Sequence, residues 1–278
     1  MSRLYRLSGA GNDFLALAAP AAAPPAATIA AWCRRGLSLG ADGLFALHRD
    51  GDAVRMEYWN ADGFPARLCL NGTRCAARLA FHLGWGAAEV EIRTGAGPIR
   101  AREVPEAPAE IALVLPAPER QHRPLAPEVA GTRCAGWLVD AGVPHFVLPW
   151  PEPLGAAPVA TLGAALRRHY AFGPGGTNVD FVRFPDPHRL EIRSFERGVE
   201  AETLACGTGV LAAVAAGLAQ GALELPVRAL TQGGCELAIA REAPGPPPLW
   251  TLTGDARLLA TLEPTPEATR LPPPPAWS

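Results

Sequence analysis

Cys69 and Cys206 stand in matched surroundings half a chain apart. Cys69 lies in Leu68-Cys69-Leu70-Asn71-Gly72-Thr73-Arg74-Cys75-Ala76-Ala77, and Cys206 in Ala205-Cys206-Gly207-Thr208-Gly209-Val210-Leu211-Ala212-Ala213. Each cysteine is followed by a short run containing glycine and then by an alanine-rich stretch that predicts a helix. A cysteine just ahead of a helix meets the unpaired N–H groups of the first turn and the positive end of the helix dipole. That position is expected to lower a thiol pKa from about 8.5 toward neutrality, and the same N–H groups can hold a carboxylate. Two such thiols on opposite sides of one carboxylate-bearing carbon could take a proton from one face and return one to the other. One starts as thiolate and the other as thiol, and the roles exchange with the direction of reaction. The helix termini would stabilise the enolate-like charge that develops. Taken singly, each cysteine reads as an ordinary buried one; the matched position in two copies is what favours chemistry.

The match extends beyond the cysteines. Cys69 and Cys206 differ by 137, as do Asn60 and Arg197, Gly72 and Gly209, Ala76 and Ala213, Gly84 and Gly221, Val90 and Val227, Thr94 and Thr231, and Gly97 and Gly234. Further upstream the register drifts as insertions would make it. Ala10-Gly11-Asn12-Asp13-Phe14 faces Ala141-Gly142-Val143-Pro144-His145-Phe146, and Asp42-Gly43-Leu44-Phe45 faces Asn178-Val179-Asp180-Phe181-Val182. Two homologous domains of roughly 120–140 residues each account for this, an ordinary domain size. The expected division is 1–116, completed by about 258–278, and 117–257.

The elements needed to position the cysteines can be read from pattern and punctuation. Arg3–Leu7 and Phe14–Leu17 predict two strands around the turn 8–13, where two glycines let backbone approach a ligand. Thr28 is a candidate cap for a short helix, 29–35. Leu44–His48 and Val54–Trp59 predict strands, and a helix runs from about Gly72 to Leu83, stopped by Gly84. Strands follow at 90–93, 99–103 and 111–115. The proline-rich stretch 116–128 reads as an interdomain linker. The second half repeats the order, with strands near 137–139 and 146–148, helical residues 161–168, strands at 179–184 and 190–195, and a helix from about Gly207 to Ala219. Strands at 227–230, 236–240 and 249–253 come next, and 256–262 predicts a last strand that returns to the first domain.

Bulk properties exclude several function classes. A net charge of -2 over 278 residues, with no basic stripe or acidic tail, argues against nucleic-acid and membrane-surface partners. The sequence contains no lysine, which removes the Schiff-base anchor of pyridoxal-phosphate enzymes and the P-loop lysine. The six cysteines do not form close pairs with nearby histidines, so no metal site is expected. Neither a secretory signal nor a membrane-spanning run is evident, and a cytoplasmic setting with reduced thiols is the expectation.

These motifs together resemble the diaminopimelate epimerase family, pyridoxal-independent enzymes that interconvert the LL and meso forms of diaminopimelate in lysine and cell-wall precursor biosynthesis. The resemblance runs from Gly9 to about Leu259. It rests on Gly9-Ala10-Gly11-Asn12-Asp13-Phe14, Asn60-Ala61-Asp62-Gly63, Asn71-Gly72-Thr73-Arg74-Cys75, Gly142-Val143-Pro144-His145, Glu196-Arg197-Gly198 and Glu202-Thr203-Leu204-Ala205-Cys206-Gly207-Thr208-Gly209. It implies an α/β fold of two pseudo-symmetric domains, each a curved mixed sheet around a central helix, with the active site in the cleft between them. It implies that Cys69 and Cys206 are the acid–base pair, with no cofactor. The backbone at Leu70-Asn71 and Gly207-Thr208 would bind the reacting carboxylate, and Asn12 would contact the substrate near the reacting centre. Asn60, Asn178 and Arg197 would read the distal amino-acid end, Arg197 by a bidentate grip. His145 and Glu196 would support proton movement or bind amino groups. A small-molecule amino-acid substrate is the implied partner. A homodimer is the expected assembly, although the residues themselves do not set the oligomeric state.

Without the family, His145 reads as a structural turn histidine and Glu196-Arg197 as a strand-end ion pair. Leu70 stands where the family usually has glycine, and Val143 where some members have asparagine, so another amino-acid racemase or isomerase on the same fold is the alternative. A non-catalytic amino-acid-binding protein is the rival from another class, and retention of both cysteines speaks against it.

Overall fold

Ala10 and Gly11 both take positive φ, 51° and 93°, and close a two-residue hairpin between the strands Leu4–Gly9 and Asn12–Ala18. Turns of this hand match the right-handed twist of the strands they join. The register runs from Leu4 opposite Leu17 to Gly9 opposite Asn12. Both strands therefore reach further into the turn than sequence pattern predicts, and Asn12 is held by sheet rather than carried on a loop tip.

The computed structural model describes residues 3–118, 122–243 and 247–272. It consists of two compact units, Met1–Ala112 with Asp255–Ser278, and Leu113–Gly254. In the first unit the hairpin continues by a parallel step from Asn12–Ala18 to Gly43–Asp50. That strand turns back antiparallel into Ala53–Asn60. A second parallel step leads to Glu89–Thr94, which turns back into Gly97–Glu103. On the other side of Leu4–Gly9 lies the strand Arg257–Leu262, antiparallel, from Leu4 opposite Leu262 to Ser8 opposite Arg257.

The second unit repeats this pattern. Gly136–Asp140 and Pro144–Pro149 form a hairpin, which steps in parallel to Asn178–Asp186. Arg189–Glu196 returns antiparallel and steps in parallel to Val227–Thr231, which turns back into Glu236–Ala243. Leu249–Asp255 pairs next to that last strand. Each unit is thus a mixed sheet, and in each the second parallel step is made through a long helix.

Four α-helices occur among the described residues: α1 (Ala26–Cys33), α2 (Leu70–His82), α3 (Ala164–Arg167) and α4 (Gly207–Ala219). The two long ones, α2 and α4, each begin and end 137 residues apart, so the repeat seen in the residues is carried by whole elements. Each stops at a glycine in the left-handed region, Gly84 at φ 69° and Gly221 at φ 68°. Along α4 only Thr208, Leu218 and Ala219 are not buried, as expected of a helix that is apolar all round and enclosed by its own sheet. Among the described residues, one buried cluster in the first unit gathers Leu4, Leu15, Leu17, Ile29, Leu44 and Ala46, and another in the second unit gathers Phe146, Leu148, Leu166, Val179, Phe181 and Phe195.

Three local expectations are corrected. The first helix starts at Ala26 behind Pro25, without a side-chain cap, so Thr28 lies inside it. Helical residues 161–168 divide into a wide turn at Val159–Gly163 and the short α3. The stretch 116–128 is not simply a linker: residues 119–121 lie outside the described residues, but His122–Leu125 is a strand antiparallel to Gly136–Asp140. Pro124 has no N–H to donate, which an edge strand tolerates. Among the described residues no helix is long and apolar enough to cross a membrane.

Candidate active site

In the first unit Cys69 is the N-cap of α2, with extended backbone at φ −144° and ψ 108°. The N–H of Gly72 donates to its sulfur at 3.4 Å, and the Thr73 hydroxyl donates to its carbonyl at 2.9 Å. Such a donor stabilises negative charge on sulfur. Leu70, the first residue of α2, is helical and only 4% exposed. The departure from glycine here is absorbed by packing and requires no positive φ.

Asn12 and Asn71 are locked by a chain of hydrogen bonds. Buried Arg74 donates to Asn71 Oδ1 at 2.8 Å, Asn71 Nδ2 donates to Asn12 Oδ1 at 2.6 Å, and Asn12 Nδ2 donates to Asp42 Oδ2 at 2.9 Å. Asp42 also accepts the Asp13 N–H at 3.1 Å and a hydrogen bond from Arg35. Arg74 Nε reaches the Asp255 carbonyl at 3.3 Å, tying α2 to the start of the last strand. Asn60 is exposed at the end of its strand, and its backbone bonds stay within its own turn, to Phe64 and Gly63. It is not part of the Asn12–Asn71 chain.

The second unit gathers most of the expected residues around Cys206, the N-cap of α4, at φ −116° and ψ 107°. Its sulfur lies 3.4 Å from Thr208 Oγ1, which lies 3.0 Å from His145 Nε2. His145 Nδ1 lies 2.7 Å from Asp180 Oδ2, and both side chains are fully buried. Asp180 Oδ1 accepts from the Ser194 hydroxyl at 2.6 Å. Asn178 Oδ1 accepts the Arg197 N–H at 2.8 Å, while its Nδ2 donates to the Pro144 carbonyl at 3.0 Å. The Thr203 hydroxyl donates to Glu196. Arg197 is half-buried, with Nη1 3.5 Å from the Gly175 carbonyl. Gly207 and Thr208 are the first two residues of α4 and carry its leading N–H groups.

Alternation in the strands explains the gathering. His145 is registered with Asn178, and Asp180 with Ser194. Asn178 and Asp180, like Ser194 and Glu196, are two residues apart and share a face of the sheet. That face meets the N-terminal turn of α4.

The thiol of Cys206 departs from expectation. Its pKa is pushed well above the ordinary thiol value, first by burial and then by the negative charges of Glu196 and Asp180; the Thr208 hydroxyl and the Gly209 N–H pull it down and lose. Helix-terminus stabilisation is therefore outweighed, and Cys206 carries its proton at neutral pH. Glu196 is held above the ordinary carboxylate range, chiefly by burial, with Thr203, His145 and Cys206 partly offsetting it. Of the other cysteines, burial raises Cys33 to about 12 and also raises Cys75 and Cys134, as in inert core thiols. Among the described residues no cluster of His, Cys, Asp and Glu is arranged to hold a metal.

Sequence reasoning did not assign Asp180, Ser194, Asp42 or Arg74 to the site. For the first two a signal exists: polar residues at alternate positions in otherwise apolar strands. Asp42 and Arg74 carry none in the strand pattern, and their bonds to Asn12 and to the Asp255 carbonyl join residues remote in sequence.

Comparison with known proteins agrees with the residue reading. The family model described as Diaminopimelate epimerase matches residues 5–113 and 137–259. The diaminopimelate epimerase of Gemmatimonas aurantiaca is 41% identical over 216 residues, 74% of this chain and 76% of that protein. The diaminopimelate epimerase of an Azoarcus species is 34% identical over 265 residues, 90% of this chain and 94% of that protein. Two solved structures share the fold. A phenazine biosynthesis protein of the PhzF family from Enterococcus faecalis has a TM-score of 0.71 at 17% identity, covering 94% of this chain and 98% of that one. A hydroxyproline epimerase from Agrobacterium vitis has a TM-score of 0.68 at 16% identity, covering 94% and 90%. With these relatives, the family match across both repeats and the two cysteine-capped helices, the chain belongs to the diaminopimelate epimerase family, a family of isomerases.

Proposed function

We propose that the protein interconverts LL- and meso-diaminopimelate without pyridoxal phosphate, using Cys69 and Cys206 as the two proton-transfer groups. The observation that carries this reading is the repeat of a thirteen-residue helix capped by a cysteine, at the same 137-residue offset, in a chain of this family. The first-turn amides of α2 and α4 supply donors for the α-carboxylate and for the charge that develops on it. Cys206 enters as the acid, since its surroundings hold the proton on sulfur. Cys69 enters as the base, with the Gly72 N–H donating to its sulfur. The base takes the α-proton from one face, the acid delivers a proton to the other, and the reverse reaction exchanges the roles.

Glu196 and His145 return the proton inventory of Cys206 to its starting form. Asn12, with both amide ends already oriented, presents a fixed contact near the reacting carbon. Asn60, Asn178 and Arg197 read the distal amino-acid end, Arg197 by pairing with its carboxylate. The reaction would supply a lysine and peptidoglycan precursor in a cytoplasmic setting that keeps both thiols reduced.

Proton NMR in D2O, with reductant and LL-diaminopimelate and without added pyridoxal phosphate, tests this reading. Deuterium is expected at the α-carbon together with formation of the meso isomer. Cys69→Ala and Cys206→Ala are each expected to lower turnover by about a thousandfold or more. Exchange with a different amino acid instead would move the substrate. Absence of exchange with any amino acid would favour a binding protein.

A further inference from the structure

His145 is held at both ring nitrogens by groups whose own hydrogen positions are determined. On one side stands Asp180, whose carboxylate can only accept, so the bond to Nδ1 at 2.7 Å requires a hydrogen on Nδ1. On the other side stands Asn178. Its Oδ1 is committed to the Arg197 N–H and its Nδ2 donates to Pro144, which fixes the amide orientation. The same Nδ2 lies 3.5 Å from His145 Nε2, so a donor faces Nε2, and Nε2 is the bare, accepting nitrogen. The Thr208 hydroxyl, 3.0 Å from that lone pair, continues to Cys206 Sγ at 3.4 Å.

Asp180 is itself placed with care. Ser194 donates to its other oxygen at 2.6 Å. A Cβ on Gly209 would stand 2.5 Å from Oδ1, so the glycine of the cysteine motif leaves the space that this carboxylate fills. The matched Gly72 has no such neighbour; a Cβ there would meet nothing nearer than 3.5 Å. Registering Phe146 with Phe14 puts Leu44 where Asp180 stands. The device therefore belongs to the Cys206 repeat and has no counterpart in the other.

Building on the epimerase reading, we propose that Asp180 is a positioning residue that holds His145 in the Nδ1–H tautomer and so makes Cys206 Sγ, Thr208 Oγ1 and His145 Nε2 a proton wire. The step balances within the chain. Cys206 passes its proton to the Thr208 oxygen as the Thr208 hydroxyl passes its own to Nε2. The products are a thiolate, an intact hydroxyl now donating to sulfur, and an imidazolium facing the Asp180 carboxylate. The reverse shift restores the thiol.

Nitrogen-15 NMR of the full chain tests this, with the ring signals of His145 assigned by their loss in His145→Gln. In the wild type the neutral ring is expected to carry its hydrogen on Nδ1. In Asp180→Leu, which installs the residue of the other repeat, the hydrogen is expected to move to Nε2. That change should lower kcat for diaminopimelate about a hundredfold while KM stays within about threefold. A wild-type ring with its hydrogen on Nε2 overturns the proposal, whether or not the variant folds. So does a folded Asp180→Leu protein whose tautomer is unchanged. Failure of the wild type to act on diaminopimelate would overturn the functional reading alone, since the tautomer is read without substrate.

Discussion

Glu196 is the residue at which stability and chemistry pull apart. Burial holds its pKa above the ordinary value of 4.5, so the folded chain keeps this proton at a pH where the unfolded chain has released it. Its contribution to stability is complete below the unfolded pKa and is lost as pH rises through the folded one. Glu196→Gln cannot ionise and escapes that loss. Its Tm is expected to match the wild type near pH 4 and to exceed it increasingly toward pH 8, measured by thermal melts across pH. Its charge is also one of the causes that raise Cys206, so the variant should alkylate faster at Cys206 at a given alkaline pH, read by mass spectrometry with iodoacetamide. Turnover should fall about a hundredfold with loss of a proton-accepting group. Slower alkylation, or a Tm difference that does not vary with pH, would contradict this account. The residue types of the site were legible from the two cysteine motifs. The direction of the Cys206 shift was not, because it depends on two carboxylates whose approach is set by strand register.

The two long helices have the same length and the same cap, yet their N-terminal turns meet different surroundings. Around α4 the third helical residue, Gly209, faces Asp180 and Ser194, and around α2 the matched Gly72 faces Cys69, Met56 and Phe14 at ordinary contact distance. Gly209→Ala is expected to cost about 1–3 kcal/mol through overpacking and to displace the carboxylate from His145. Gly72→Ala should stay within about 1 kcal/mol of wild type, since alanine suits a helix better than glycine. Denaturant unfolding of the two single variants compares them directly, and equal losses would remove the distinction. Helix existence and extent were readable from alanine content and the glycine stops. The division of 161–168 and the strand at His122–Leu125 were not, since neither carries a clear period and both depend on neighbours.

At the scale of the whole molecule, the chain leaves its first unit at Ala112 and returns at Asp255. The returning segment completes that unit in three ways. It pairs along Leu4–Ser8, it offers the Asp255 carbonyl to buried Arg74, and the Asp255 carboxylate accepts the Ala10 N–H at 3.3 Å. Ending the chain at Gly254 would bare one edge of the Leu4–Gly9 strand and remove a partner of a fully buried guanidinium, losses that a single unit of marginal stability does not absorb. In limited proteolysis the truncated protein is expected to lose residues 3–112 rapidly while 113–254 resists. Equal resistance of both parts would show the last strand to be dispensable.

The sequence by itself determined the duplication, the two cysteine-capped helices, the family and the residue types available for proton transfer. All of these are written in local spacing, because helix starts, glycine stops and repeat offsets need no knowledge of distant neighbours. Only the tertiary structure decided that Asp180 and Ser194 support His145, that Asn12 is locked between Asp42 and Asn71, and that Cys206 rests as a thiol. Those outcomes come from which strand lies beside which and from how much water the packing removes. Burial and facing groups act through space, between residues 59 positions apart in the Asn12–Asn71 bond and 63 in the His145–Thr208 bond.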